Sequence, residues 1–355
     1  MNIIGEHVDY CDGFVLPAAI QLGCTVDARL SGTDTLEVRL PDETAQLAIT
    51  GYAPGRGWRD YVGGMARELA RDLGLTAPPG AILSIEGTVP QGAGLSSSAA
   101  LEVSVGLALW TLWHAAGAVA APDRLRLARL AQRAEHVVVG NPCGIMDQYA
   151  SVFGVAGAAL MLDCRSMTHE PVPLPPGAAF ILIDSTVPHA LAATSDYAGV
   201  RSDIEAALAQ LGAASWRDVT GIDQLGGLEG ALARRARHVV TEMARTAAAR
   251  TALAAGDLAA LGDLMTAGHA SLRDDLRTSL PQVDALQALM AGHPSVYGAR
   301  MMGGGFGGNV IAAVDGDGAE ALAGELARAW QAQLRQAELP FHVVCTASAG
   351  ARELG

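Results

Sequence analysis

Pro90-Gln91-Gly92-Ala93-Gly94-Leu95-Ser96-Ser97-Ser98-Ala99-Ala100 is the stretch on which the reading of the fold turns. It stands between a short apolar run, Ala81–Gly87, and a long helix-like segment from about Ser97. Glycines let the backbone approach a ligand closely. The N–H groups freed at the start of the helix point at an anion, and the helix dipole favours negative charge there. Three serines add hydroxyls, one of which is able to hold a metal on a phosphate. The plainer alternative is a glycine turn with a serine capping a helix.

Outward from this loop, helices and strands mix through both halves. Gln21–Leu30, Thr35–Leu40 and Ala45–Thr50 read as strands, with turns at Ser31-Gly32-Thr33-Asp34 and Pro41-Asp42. Trp58–Leu73 reads as a helix, because Tyr61, Val62, Met65, Leu69 and Leu73 share one stripe. Beyond the helix from about Ser97, another covers about Pro122–Val138, and Ala158–Leu162 and Ala179–Asp184 read as strands. Helices follow at about Asp196–Leu211, Leu228–Ala249, Asp257–Thr278 and Gln282–Gly292. Val296–Met301, Val310–Val314 and Phe341–Ala347 read as strands, with a helix over Gly318–Arg335. The pattern is α+β or α/β. The densest breaker cluster, Pro171-Val172-Pro173-Leu174-Pro175-Pro176-Gly177, places a domain boundary near it, giving domains 1–175 and 176–355.

Composition excludes several classes. The 355 residues suit one large or two medium domains. All 24 basic residues are arginine. A chain without lysine has no Walker A loop, no Schiff-base lysine and no kinase strand-lysine ion pair. A net charge of −13 argues against nonspecific nucleic-acid binding. Five scattered cysteines with no CxxC give neither a zinc ribbon nor a redox pair, and suit a reducing cytosol. The N-terminus lacks the regions of a signal peptide. Ala99–Ala121 is apolar, but it contains Glu102 and His114 and reads as a buried helix rather than a membrane span.

Three further constellations carry polar chemistry. Gly303-Gly304-Gly305-Phe306-Gly307-Gly308 formally contains GxGxxG, yet a strand rather than a helix follows it, so it is not a dinucleotide fingerprint. It reads as tight turns with close backbone approach, or as a plain hairpin turn. Asn141-Pro142-Cys143-Gly144-Ile145-Met146-Asp147-Gln148 places an acid in a loop after the helix that carries Glu135. Asp147 there suits a base or electrostatic partner, and Glu135 a metal ligand; an Asp capping the next segment is the commoner use. Cys143 reads as a packing residue. Gly5-Glu6-His7-Val8-Asp9-Tyr10 sets three polar groups between apolar runs, which suits a polyol or an exposed turn.

Taken together, these segments resemble the galactokinase branch of the GHMP small-molecule kinases, the superfamily of homoserine, mevalonate and phosphomevalonate kinases. Asn2 through Pro17 looks like the galactokinase signature. Gly94 through Ala100 is similar to the phosphate loop, Cys143 through Gln148 to the catalytic Asp segment, and Gly303 through Gly308 to the third motif. Weaker similarity lies at Trp58-x-x-Tyr61-Val62 and from Asp184-Ser185 through His189, Ser195, Tyr197 and Arg201. The resemblance implies an α+β, two-domain architecture with the active site in the interdomain cleft. It implies ATP and Mg²⁺, a small-molecule sugar as partner, no nucleic acid, no membrane, a monomer and a cytoplasmic location. Glu6, His7, Asp9, Gly144, Asp147 and Tyr197 would bind sugar hydroxyls, with Asp147 facing the attacking C1 hydroxyl. Gly92, Gly94, Leu95, Ser96, Ser97 and Ser98 would cradle ATP phosphates, Trp58 would lie near the adenine, and Ser98 and Glu135 would hold magnesium.

Phosphoryl transfer asks mostly for positioning and charge neutralisation, so the absence of lysine is tolerable in such a site. Smaller departures from the family pattern are Cys11 for a common Asn, Met302 before the glycines and Asn309 after them. The family also carries an Arg about two residues before the position of Asn2, and nothing in the sequence answers it. The expectation is either a start placed too late or a true loss, the latter costing on the order of a thousandfold in rate. The implied activity is ATP-dependent formation of galactose 1-phosphate. The alternatives are a noncatalytic galactose and ATP sensor, or a kinase for N-acetylgalactosamine or arabinose.

Overall fold

A computed structural model describes residues 1–55, 57–90, 94–187 and 193–354, without the side chains of 193–196. In chain order the strands are β1 (Phe14–Val15), β2 (Cys24–Leu30), β3 (Thr35–Arg39), β4 (Thr44–Ala48), β5 (Ala81–Gly87), β6 (Ala158–Asp163), β7 (Thr168–Pro173), β8 (Ala178–Asp184), β9 (Val296–Met301), β10 (Asn309–Asp315) and β11 (His342–Cys345). The helices are α1 (Trp58–Asp72), α2 (Ser97–Ala115), α3 (Arg124–Ala134), α4 (Met146–Phe153), α5 (Ala193–Leu211), α6 (Gly230–Ala255), α7 (Leu258–Ser271), α8 (Pro281–Ala291) and α9 (Ala319–Leu334).

The chain divides into two compact units. One comprises Met1–Gln21, Gln91–Leu95 and Val155–Ser348; the other comprises Leu22–Pro90, Ser96–Gly154 and Ala349–Gly355. The second unit holds the sheet β2-β5-β3-β4, in which β3 and β5 run parallel. Its strands alternate: Leu36, Val38, Ala45 and Leu47 point inward while their neighbours face out. That is the pattern of a sheet with one covered face. Met65 and Leu69 of α1, Leu109, Trp110 and Trp113 of α2, and Leu127 of α3 fill the core over it. Asp123 starts α3 by accepting the Arg126 N–H at 2.7 Å.

In the first unit the sheet β11-β8-β10-β9 is antiparallel throughout. Its inner strands do not alternate: Ala179–Ile183 and Asn309–Val314 are buried at every position, with helices packed on the sheet. A smaller sheet has the order β1-β6-β7. α6 ends on Gly256 in the left-handed region, and Asp257 then caps α7 through the Ala260 N–H.

The boundary expected near 175 falls elsewhere. Pro171 and Pro173 lie on β7, which pairs with β6 as an edge strand, where a missing N–H is tolerated. The N-terminal segment belongs with the later residues because β1 pairs with β6 and Ile20 bridges Ala347. The helix expected over Pro122–Val138 ends at Ala134 and runs on as a π turn, Glu135–Val139. A second π turn, Leu272–Leu276, follows α7. Asp147, expected in a loop, stands in the first turn of α4.

Candidate active site

The sugar-signature segment is built from its backbone outward. Gly5 has φ +106, and a Cβ there would lie 2.9 Å from the Val15 Cα and 3.0 Å from the Phe14 carbonyl, so only glycine fits. This turn brings Glu6 inward, and the residue is almost wholly buried. Glu6 Oε1 accepts from Arg300 Nη2 at 3.1 Å and from the Gly303 N–H at 2.8 Å. Arg300, at the end of β9 and fully buried, also donates to the carbonyls of Ile3 and Asn2, each at 2.6 Å.

His7 has both ring nitrogens engaged within the chain. Nε2 faces the Gly304 carbonyl at 3.2 Å, so it must carry the proton and donate. Nδ1 then accepts from the Tyr10 hydroxyl at 2.8 Å. Burial first, and then His238, pushes its pKa down to about 3, so the ring is neutral. Tyr197 lies against it with ring centres 5.4 Å apart, and the Arg201 guanidinium sits over Tyr10. Asp9 is half-exposed on the short turn Asp9–Cys11 and accepts the Tyr10 N–H. A sugar-binding role for His7 therefore requires exchange of one of its two present bonds.

The glycine motif is the turn between β9 and β10. A Cβ on Gly305, at φ +85, would meet the Thr278 Cβ and carbonyl at 2.6 Å. The turn presents the Gly303 N–H to Glu6 and the Gly304 carbonyl to His7.

In the other unit, Ser96 takes φ 56 ahead of α2. The Ser96 side chain makes no cap hydrogen bond, so the plainer capping alternative is not realised there. Gly94, left-handed at φ +64, and the buried Leu95 precede it and belong to the first unit. Gly92 lies outside the described residues. Ser98 Oγ donates to Glu135 Oε1 at 3.4 Å. Glu135 opens the π turn, a distortion common at functional sites. Two amides hold it: Asn141 Nδ2 donates to Oε1 and Gln148 Nε2 to Oε2, both at 2.8 Å. Burial raises its pKa, and the nearby Asp147 adds to the rise. Glu102, fully buried on α2, is pushed well above the carboxylate range by burial and then by Glu135. Asp147 is exposed, and Gly144 half-buried ahead of it. Cys143 has its thiol pushed up by burial and the two acids, which removes it as a nucleophile at neutral pH. Trp58 opens α1, its indole N–H donating to Glu43 at 3.1 Å.

The donor chemistry fits magnesium. A serine hydroxyl and a carboxylate are hard oxygen ligands, and Mg²⁺ takes one or two such groups with phosphate oxygens and water completing the shell.

The structure thus brings together Glu6, His7 and Tyr197, and separately Ser98, Glu135 and the start of α4. Arg300, Gly303, Gly304, Tyr10, Asn141 and Gln148 complete these sets and went unread in the sequence in these roles. Arg300 is shown only by its long-range pairing with Glu6; Tyr10, Asn141, Gln148, Gly303 and Gly304 stood inside the quoted motifs, but with no signal of which partner each would hold.

Comparison with known proteins follows this division. Residues 60–155 match the model of the GHMP kinases N terminal domain, and residues 249–332 that of the GHMP kinases C terminal. A mevalonate kinase structure superposes with a TM-score of 0.68 at 17% identity, over 99% of this chain and 97% of that one. The fold is therefore that of the GHMP kinases. Residues 1–30 match the galactokinase galactose-binding signature. The chain is 42% identical to a galactokinase of Chloroflexus aurantiacus, over 99% of this chain and 90% of that one. It is 41% identical to a galactokinase of a Roseiflexus species with the same coverage. The galactose-complexed galactokinase of Lactococcus lactis superposes with a TM-score of 0.90 at 31% identity, over 99% and 92% of the two chains. This chain belongs to the galactokinase family.

Proposed function

We propose that this chain transfers the γ-phosphoryl group of ATP to the C1 hydroxyl of galactose, giving galactose 1-phosphate and ADP. The galactose-binding signature at residues 1–30, in a chain 42% identical to a galactokinase, carries the reading.

Glu6, Asp9 and Tyr197 take the sugar hydroxyls. Glu6 keeps one carboxylate oxygen on Arg300 and Gly303, so its orientation is set before sugar arrives. His7 offers its Nε2–H, whose 3.2 Å bond to Gly304 is the longer of its two. Gly144 lines the sugar, and Asp147 accepts the C1 hydroxyl proton as that oxygen attacks the γ-phosphorus. Such transfers need positioning and charge neutralisation above all. Gly92, Gly94, Leu95 and Ser96–Ser98 present backbone N–H groups and hydroxyls to the phosphates at the start of α2. Ser98 and Glu135 would hold magnesium, which would supply neutralisation of the charge that develops on the transferred phosphate. Trp58 contributes a ring surface for the adenine.

A monomer acting in the cytoplasm belongs to the same reading. Its five cysteines are all free, and among the described residues no helix is long and apolar enough to cross a membrane. The test is ADP release with ATP and Mg²⁺ in the presence of galactose, N-acetylgalactosamine or arabinose. It is run on this chain and on one extended upstream with an Arg two residues before Asn2. Galactose-dependent release in either form supports the reading. Preference for another sugar replaces the substrate, and galactose binding with no turnover in both forms makes the protein a sensor.

A further inference from the structure

The buried face of α6 carries a polar stripe that the reaction does not use. His238, Glu242 and Thr246 recur every four residues, so they lie on one side of the helix, and all three are fully inaccessible to solvent. Each meets the sugar-signature segment. Glu242 Oε1 accepts the Gly5 N–H at 2.9 Å and the Glu6 N–H at 3.3 Å. His238 Nε2 lies 3.1 Å from the Glu6 carbonyl and donates to it. Thr246 Oγ1 closes the space beside Gly5, where a Cβ would stand 3.2 Å from it.

A buried carboxylate is costly unless it is paired and hydrogen-bonded. Arg245 Nε donates to Glu242 Oε2 at 2.7 Å. Burial alone would raise the Glu242 pKa, but Arg245, His238 and Arg300 outweigh it and hold the carboxyl below its usual range. An apolar residue would avoid that burial cost, yet it would orphan the Gly5 and Glu6 N–H groups. What the carboxylate supplies is a fixed backbone at the residue whose side chain faces the sugar. Arg300 and Gly303 fix the Glu6 side chain; α6 fixes its main chain.

We propose that Glu242 and His238 are positioning residues for sugar recognition, holding the Gly5–Glu6 backbone so that the Glu6 carboxylate and His7 ring meet the sugar in register. This rests on the assignment of Glu6 and His7 to galactose. A small displacement of such groups is enough to cost roughly a hundredfold.

The experiment uses the whole chain with Glu242→Gln, His238→Gln and, as control, Glu68→Gln. Glu68 is an equally buried carboxylate in the other unit, ion-paired to Arg67 and Arg133. Galactose affinity is read by calorimetry without ATP, beside KM for galactose, KM for ATP and Tm. Glu242→Gln is expected to weaken galactose binding roughly 10- to 100-fold while KM for ATP stays within about threefold. His238→Gln, which keeps an N–H for the Glu6 carbonyl, is expected to lose less. Glu68→Gln is expected to lower Tm with galactose affinity unchanged. Galactose affinity in Glu242→Gln no weaker than in the control, or parallel rises in both KM values, overturns the inference. Should Glu242→Gln not fold, Glu242→Asp retracts the same charge by one methylene and is judged by the same comparison. A wild-type chain that neither binds nor phosphorylates galactose overturns the functional reading itself.

Discussion

Asp147 and His7 carry predictions at the scale of single residues. Asp147 stands exposed at the start of α4, and its carboxylate is the group assigned to the attacking hydroxyl. Asp147→Ala is expected to lower kcat by about 10²- to 10⁴-fold, the usual range for a general base, with a smaller change in KM for galactose. Steady-state kinetics with both substrates checks this. His7 makes a prediction about pH. Its folded pKa of about 3 lies below its ordinary value of 6.5, so the unfolded chain takes up the proton first. The stability it contributes is fully present above pH 6.5 and is lost as pH falls toward 3. His238 and His269 shift in the same direction, both by burial first. Tm of the wild type is expected to fall between pH 6.5 and 5, and His7→Asn to fall less steeply in that window. Parallel Tm curves would show that His7 does not titrate as described.

At the scale of elements, β9 is both the strand that carries Arg300 and one arm of the glycine turn. It is pressed onto α7 through Gly262 and Gly298, where a Cβ on either glycine would overlap the other helix or strand backbone. Gly298→Ala is therefore expected to destabilise by about 1–3 kcal/mol, the range for overpacking, and to lower Tm by several degrees. An unchanged Tm would mean the two backbones separate freely. Elements of this length were legible in the sequence. Val296–Met301 falls where the apolar run places it, and the long helices follow their stripes. β1 and α4 were not. β1 has two residues, and α4 has eight behind a loop-like Asn-Pro-Cys-Gly. The π turn at Glu135 continues the helical periodicity of α3, so no local pattern separates it. The prolines of β7 read as breakers because the sequence does not show that the strand is an edge.

At the scale of the whole molecule, chain order and spatial division differ. The motifs Gly5–Tyr10, Ser96–Ser98, Cys143–Gln148 and Gly303–Gly308 were legible as chemistry, because each is contiguous. Their supports were not, because Arg300, His238 and Glu242 reach Glu6 across more than two hundred residues. A cut at 175 would separate the N-terminal segment from all three supports. The fragment 176–355 is not expected to unfold cooperatively alone, as followed by circular dichroism; a sharp transition would show that its sheet stands without residues 1–21. The central claim is the reaction. Its most direct measurement is phosphorus NMR of the whole chain incubated with ATP, Mg²⁺ and galactose. A phosphomonoester signal coupled to the anomeric proton, formed in step with ADP and absent with Asp147→Ala, is the expected result. ADP formed without a sugar phosphate, or a phosphate on any other hydroxyl, would contradict it.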